Sequence, residues 1–527
     1  MSDIVSKVWK EYQKGLGFNT QQLLDDAVRA NENFFVGKQW EGVESNGLPT
    51  PVFNFIKQTV LFAIASIISN NVKINGSAFS TVVEPIKAER MANIINAELD
   101  RVAESNKLTD LIREFARNAA VDKDGCLFTY WDADAESGQA VKGAIVTEVV
   151  ENTRVHFGNP NDRRVQKQPY IILSSREIVE DVQERAKENK TKNWKEITAD
   201  TSDHYQDPEN ITDGKVAVLL KLWKDKKTGT IRAVETTQKA VVKDEWNMGL
   251  KLYPIVWLNW DIVQDNFHGR SMVDGLIPNQ IFVNKLFAMS MISLMTTAYP
   301  KIIYNKLAVD HWDNRVGAAI PVKNGMDVNQ VAKNLSGASI DPQVERFISM
   351  CVDMTRAFQG ATGAALGEGK AYNTSAIIAL QKAAAAPSEL TKQNLYQAIE
   401  DLGRIYIDFM RENYGTRTIY APIPKDMSEV AEFAEVTGDV PQIFDFAELK
   451  DAFFSIKLDV GASSYWSEMQ AVATLDNMIQ IFGPTGQMSL GDYLERLPRG
   501  VIPKQQEWID NLKTQPALPP QQLAPAQ

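Results

Sequence analysis

The run Pro278-Asn-Gln-Ile-Phe-Val-Asn-Lys-Leu-Phe-Ala-Met-Ser-Met-Ile-Ser-Leu-Met-Thr-Thr-Ala298 is apolar on most sides of a helix, with Met289, Met291 and Met295 spread around it. Proline suits a first helical turn, so the pattern predicts a helix over 278–298. A helix that is apolar all round belongs inside a large core or between subunits. It does not cross a bilayer, because Ser290, Ser293, Thr296 and Thr297 interrupt it; the other long apolar run, 60–68, falls short of the about 20 residues required. Asp341-Pro342 then caps a second helix with Val344, Phe347, Ile348, Cys351, Met354 and Phe358 on one face. Between the two lies a short segment with strand-like stretches at 301–304 and 318–322 and breakers at Gly317, Pro321 and Gly325. It carries Lys301, Lys306, Arg315, Lys323 and Lys333 against Asp310, Asp313 and Asp327, a net of +2. A helix pair with so little core of its own suggests packing between identical subunits. The plainer alternative is a buried hairpin in one large monomer.

Downstream, 360–371 contains Gly360, Gly363, Gly367 and Gly369 and little bulk, which predicts a flexible loop. A helical stretch over 373–414 follows, about 60 Å long if continuous. Pro387 lies inside it and should kink it. Residues 426–459 hold nine acids and two lysines; helices are expected near 467–482 and 490–497, and the Pro/Gln/Ala tail from 515 should be disordered.

Upstream, the first hundred residues read as helices joined by short turns. Expected are a helix over 21–35 stopped by Gly37, an extended 48–51, and an apolar helix capped by Asn54. Another should start at Pro85 with Ile86, Met91, Ile94, Ile95, Leu99 and Val102 in its stripe, followed by one over 108–119. From a turn at 122–125 the pattern becomes mainly β to about 260, including a hairpin turning at Lys227-Thr-Gly229. A charged helix over 175–190 interrupts it, and the polar 187–213 should be a mobile loop. No internal repeat is visible.

The chain has 527 residues, 44% of them hydrophobic and 23% charged, with a net charge of −11. That is ordinary globular composition, and the length suggests roughly three to four structural units. Cys126 and Cys351 cannot make a disulfide scaffold, and the first residues lack the apolar core of a secretory signal. The acidic balance argues against tight nucleic-acid binding, which needs clustered cations.

No catalytic constellation emerges. The loop from Gly363 to Lys370 fails the P-loop pattern, with Ala364 where glycine is needed and Ala371 where magnesium needs a hydroxyl. His156, His204, His268 and His311 share no metal-binding spacing, and neither cysteine nor any serine sits in a nucleophile motif. No enzyme, metal or cofactor is expected.

Eight stretches carry a resemblance. They are Asn33-Phe-Phe-Val-Gly-Lys-Gln-Trp40, Gly47-Leu-Pro-Thr-Pro-Val-Phe-Asn54, Tyr253-Pro-Ile-Val-Trp257, His268-Gly-Arg-Ser271, Ile277-Pro-Asn-Gln-Ile-Phe-Val-Asn-Lys285, Tyr299-Pro-Lys301, Asn373-Thr-Ser375 and Gly461-Ala-Ser-Ser464. In this order and spacing the chain resembles the portal proteins of tailed bacteriophages over nearly its whole length.

The resemblance implies an α+β, mainly α portal fold of wing, stem, clip and crown, assembling as a ring. By order along the chain the wing would be 1–273 with return strands at 416–460. The stem helices would be 274–299 and 341–359, around a clip at 300–340. The tunnel loop would be 360–372, leading into the long kinked helix 373–415, with the crown at 461–514 and a disordered tail at 515–527. It further implies a homo-oligomer, usually a dodecamer, at one capsid vertex after assembly in the host cytoplasm. Double-stranded DNA would pass through the channel without sequence specificity. The terminase large subunit would dock on the clip first, then head-completion, adaptor and tail proteins; major capsid protein and scaffold are further partners, and no membrane is involved. Lys370 and Lys382 become candidates for brief DNA contacts, and Lys301, Lys306, Arg315, Lys323 and Lys333 for the docking surface. Rival readings are a non-portal virion structural or scaffold module, a nucleotide-dependent packaging enzyme, and an unassigned soluble enzyme. An acidic wall also suits a conduit whose DNA must slide without sticking.

Overall fold

Asn54 holds two helices at once. Its carbonyl oxygen accepts from Lys57 N at 3.1 Å, capping helix α3 (Phe55–Ile67), while its amide donates to Phe35 O at 2.9 Å at the end of α2 (Leu24–Val36). Gly37 stops α2 at φ 99°, a left-handed conformation that glycine adopts without strain. The computed structural model describes residues 2–68, 73–79, 85–139, 141–201, 214–298, 301–313, 315, 318–323, 327, 329, 331–335, 343–358, 388–422, 440–451, 453–459 and 475. The chain divides into two units, 1–68 with 76–457 and 69–75 with 458–527, where length alone suggested more. The larger unit holds almost all the described residues.

In that unit α1 (Ser2–Gln21), α2, α3, α4 (Pro85–Ser105) and α5 (Leu108–Asp122) form the helical beginning. Of the predicted stripe of α4, Met91, Ile94, Ile95, Leu99 and Val102 are buried. In chain order the strands are β1 (Lys73–Phe79), β2 (Asp124–Asp132), β3 (Ala144–Val150), β4 (Val155–Phe157), β5 (Tyr170–Ile178), β6 (Lys215–Lys224), β7 (Ile231–Thr236), β8 (Val241–Asn247) and β9 (Ile255–Asn259). An antiparallel sheet in the order β4-β5-β6-β7-β8 includes the expected hairpin, with Gly229 at φ 71° in its turn. A smaller sheet runs β3-β2-β9 with α5 packed on β2. Helix α9 (Glu389–Asn413) lies along β9 and leads into the hairpin of β12 (Thr416–Ala421) and β13 (Val440–Asp445). Helix outweighs strand, as expected of an α+β chain that is mainly α.

Several local expectations are corrected. The charged helix is shorter, because β5 continues through Ile178 in full register with β6 and leaves only α6 (Val179–Glu188) helical. The polar stretch after it is not all loop. Ile197 is buried with Val182 and Ala186, and Trp194 packs against them, so one apolar side chain in a polar run nails it down. Residues 202–213 lie outside the described residues, as do the kink at Pro387, the predicted helices beyond 460 apart from residue 475, and the tail.

His156, on β4, is buried and pressed against α1. A Cβ added at Gly15 would come 2.7 Å from its Cβ, and Tyr12 meets its ring edge-on at 5.0 Å. Neither ring nitrogen has a hydrogen-bond partner among the described residues. Burial, with His268 nearby, lowers its pKa from the ordinary 6.5 to about 3. The native state keeps this imidazole neutral, whereas the unfolded chain takes up a proton below pH 6.5. Stability is therefore complete above that value and falls as the pH drops toward 3, by roughly 1 kcal/mol per pH unit. Urea unfolding at pH 7 and pH 5 should show this loss, and His156→Leu should largely remove it; equal pH dependence in both proteins would refute the assignment.

Candidate functional site

The helix read first from the sequence begins earlier than its proline suggests. Ser271 Oγ accepts from Asp274 N at 2.9 Å and starts α7 (Met272–Ala298), so Pro278 sits inside the helix, not at its opening. There it removes one helical hydrogen bond, which the start set by Ser271 overrides. The first half of α7 is firmly rooted. Gln280 donates to Phe53 O at 2.7 Å and to Asn284 Oδ1 at 3.0 Å, and its own carbonyl lies 3.4 Å from Ile56 N. Asn284 in turn donates to Gln39 Oε1 at 2.6 Å, and Gln39 to Phe34 O at 3.0 Å. All three amides are buried. Phe53 stacks on Phe287 at 3.9 Å, and Trp40 Nε1 donates to Pro51 O. The separate stretches that carried the resemblance, 33–40, 47–54 and 277–285, thus meet in one network. Composition could not show this, since each amide alone reads as an ordinary surface residue.

Removing its hub should be costly. Gln280→Leu strands a buried carbonyl, an N–H and the Asn284 amide, which predicts a loss of about 2–4 kcal/mol. Urea unfolding of the purified chain measures it, and a loss below about 0.5 kcal/mol would show the network to be slack.

Beyond Asn284 the character of α7 reverses. No residue from 285 to 297 is buried, although Met289, Leu294 and Met295 are 65%, 64% and 54% exposed. Helix α8 (Gln343–Phe358) packs beside α7, with Asn279 Nδ2 donating to Thr355 Oγ1 at 3.0 Å. It too leaves Phe347, Met350 and Met354 exposed. Single exposed apolar residues are normal, but contiguous ones on neighbouring helices mark an interaction surface. Pro342 and the predicted cap at Asp341 lie outside the described residues.

Between these helices β10 (Lys301–Tyr304) pairs with β11 (Ala332–Leu335), Lys301 opposite Leu335 and Ile303 opposite Lys333. The strand expected at 318–322 does not form. Its Ile320 and Val322 pack on a small core of Ala308, Val309 and Val331, and that burial does not need strand pairing. Of the five cations in this segment, Arg315 pairs with Asp313 at 2.6 Å and Lys323 with Asp310 at 2.6 Å. Lys306 and Lys333 are exposed and have no ion pair among the described residues. Lys301 is placed by its backbone alone. The open positive charge is therefore narrower than the count suggested.

Gly360, Gly363, Gly367, Gly369, Lys370, Lys382 and Pro387 all lie outside the described residues. One buried pair resembles a catalytic dyad, but both nitrogens of its imidazole are taken up by internal partners. His268 Nδ1 lies 2.6 Å from Asp124 Oδ2, but its Nε2 faces Asn19 Oδ1 at 3.2 Å, where a nucleophile would have to stand. Among the described residues no group of three or more His, Cys, Asp or Glu is arranged for a metal ion, and no helix is long and apolar enough to cross a membrane.

The helix pair is thus rooted at one end, and at the other its apolar residues are exposed among the described residues. The family model described as Phage P22-like portal protein matches residues 148–527, and the chain belongs to that family of tailed-phage portal proteins. No curated protein matches the chain.

Proposed function

We propose that the chain assembles into a ring, a dodecamer in the virion, that forms the DNA channel at one capsid vertex. The genome is packaged and ejected through it, and it performs no catalysis of its own. The observation that carries this is the far half of α7 with α8. Among the described residues nothing covers their exposed apolar side chains, while the amide network fixes the near half. Identical neighbours satisfy both conditions, since each helix pair supplies the surface that the next one lacks. Negative-stain imaging with native mass measurement tests it: rings with a central hole are expected, and a persistent monomer at high concentration overturns it.

On this reading residues 1–273 with 416–460 form the wing, 274–299 and 341–359 the stem, 300–340 the clip and 461–514 the crown. The clip meets the terminase large subunit during filling and head-completion, adaptor and tail proteins afterwards; the wing faces major capsid protein and scaffold. Lys306 and Lys333 steer that docking toward an acidic surface. Lys306→Glu with Lys333→Glu should weaken motor or adaptor binding at least several-fold in a pull-down while rings persist; unchanged binding removes the clip from the docking role. Residues 360–372 serve as the tunnel loop, with Lys370 and Lys382 making brief phosphate contacts. Deleting 364–368 should leave rings intact and impair packaging, and normal filling would count against that role.

A further inference from the structure

The turn after α6 gathers positive charge in an acidic chain. Residues 187–195 hold Lys187, Lys190, Lys192 and Lys195 against Glu188 alone. All four lysines are exposed and without an ion pair among the described residues. The carboxylates nearby are engaged by arginines instead. Asp200 pairs with Arg176 at 3.0 Å, Glu177 and Glu235 hold Arg185 at 2.6 and 2.8 Å, and Glu245 holds Arg232 at 2.6 Å. A guanidinium presents its donors in a planar fork that fits carboxylates, so arginine takes the pairs and lysine is left over.

The lysines nevertheless stand on a firm backbone. Thr191 closes the end of α6, its N and Oγ1 donating to Ala186 O at 3.1 and 2.9 Å. Asn189 Nδ2 donates to Val242 O on β8 at 3.3 Å, and Gln183 Nε2 to Ile197 O at 2.8 Å. Trp194 then steadies two of the four. Lys187 Nζ lies 6.0 Å and Lys195 Nζ 5.4 Å from the centre of its ring. An aromatic ring attracts an ammonium without neutralising it. These two cations are therefore held in place with their charge uncompensated.

We propose that this turn is a docking surface for an acidic segment of another protein. Cations already fixed in place lose little freedom on binding, and they offer carboxylates a partner that the chain itself does not supply. A nucleic acid suits the surface less. Trp194 packs inward on the cluster of Val182, Ala186 and Ile197, so its ring is not free to stack on a base. The net charge of −11 also repels a long polyanion wherever it extends beyond the turn. The surface lies on other elements than α7 and α8, and its test does not require a ring.

The probe is a fluorescein-labelled Glu-Ala-Glu-Ala-Glu-Ala-Glu peptide titrated at low salt into the full-length protein and followed by fluorescence anisotropy. The protein carries Lys306→Glu and Lys333→Glu, so that the cations of the proposed clip do not contribute. Binding is expected that weakens at least tenfold when Lys187→Gln, Lys190→Gly, Lys192→Gln and Lys195→Gln are added. Glycine suits position 190, where φ is 57°. Lys190→Gly with Lys192→Gln alone leaves both Trp194 contacts in place and should weaken binding about threefold, a loss that no disturbance of the ring explains. Absence of binding, or equal binding by the fourfold variant, overturns the proposal. So does displacement of the peptide by a duplex oligonucleotide at equal charge concentration, which would make the turn a nucleic-acid surface. Binding that appears only once Glu429, Glu432 and Glu435 are changed to Gln would make the acidic run of this chain or of a second copy the occupant and also overturn the proposal.

Discussion

Met289→Glu with Leu294→Glu should leave each chain folded and abolish rings. Both side chains are about two-thirds exposed in the single chain, so their loss removes little internal contact. In the proposed ring they would face a neighbour's apolar helix, where a buried unpaired carboxylate costs several kcal/mol. Two such charges per subunit recur at every interface of the ring. Sedimentation or mass measurement should therefore show monomers with unchanged circular dichroism. Glutamine at the same positions, polar without charge, should give rings of reduced stability. Rings formed normally by the double glutamate variant would refute the role given to α7. The expected shift is all-or-none, because closure couples every interface to the next.

The second large effect concerns folding. Asp124, 1% exposed at the start of β2, lies 2.6 Å from His268 Nδ1 and accepts from Asn259 Nδ2 and Gly269 N at 2.7 Å each. Asn152 Nδ2 approaches it at 3.4 Å. One carboxylate thereby ties β2, β9 and the loop before α7. Asp124→Ala leaves these donors buried without an acceptor and should cost about 3–5 kcal/mol. That is a large fraction of the about 5–15 kcal/mol that holds a typical domain. A strong fall in urea midpoint, or insoluble protein, is expected. Asp124→Asn, which keeps one acceptor, should lose less. A loss under about 1 kcal/mol for the alanine variant would show that the cluster is incidental.

Much of the helical beginning was legible in local chemistry. Asn54 caps, Gly37 terminates, Pro85 opens α4, and Gly229 turns the hairpin because each residue acts on its own few neighbours. Where the reading slipped, a distant or competing partner decided. Pro278 looked like a helix start, yet Ser271 seven residues earlier satisfied the free N–H of Asp274 and α7 began there. Residues 318–322 looked like a strand, but the partner of β10 came from 332–335, and burial against Val331 satisfied Ile320 and Val322 instead. Of the candidate site, the two helices, the segment between them and its cations were visible as pattern. That Arg315 and Lys323 are neutralised by Asp313 and Asp310 was not, because net charge does not say which carboxylate lies within reach.

By itself the sequence determined the family, the α+β character and the presence of two apolar helices around a short segment. These follow from periodicity and from ordered motifs, which survive without coordinates. Only the tertiary structure decided that Gln39, Gln280 and Asn284 form one buried network and that His268 braces Asp124. Each of these depends on residues up to about 250 positions apart meeting within hydrogen-bond distance, and a hydrogen bond is fixed by geometry that no one-dimensional pattern encodes.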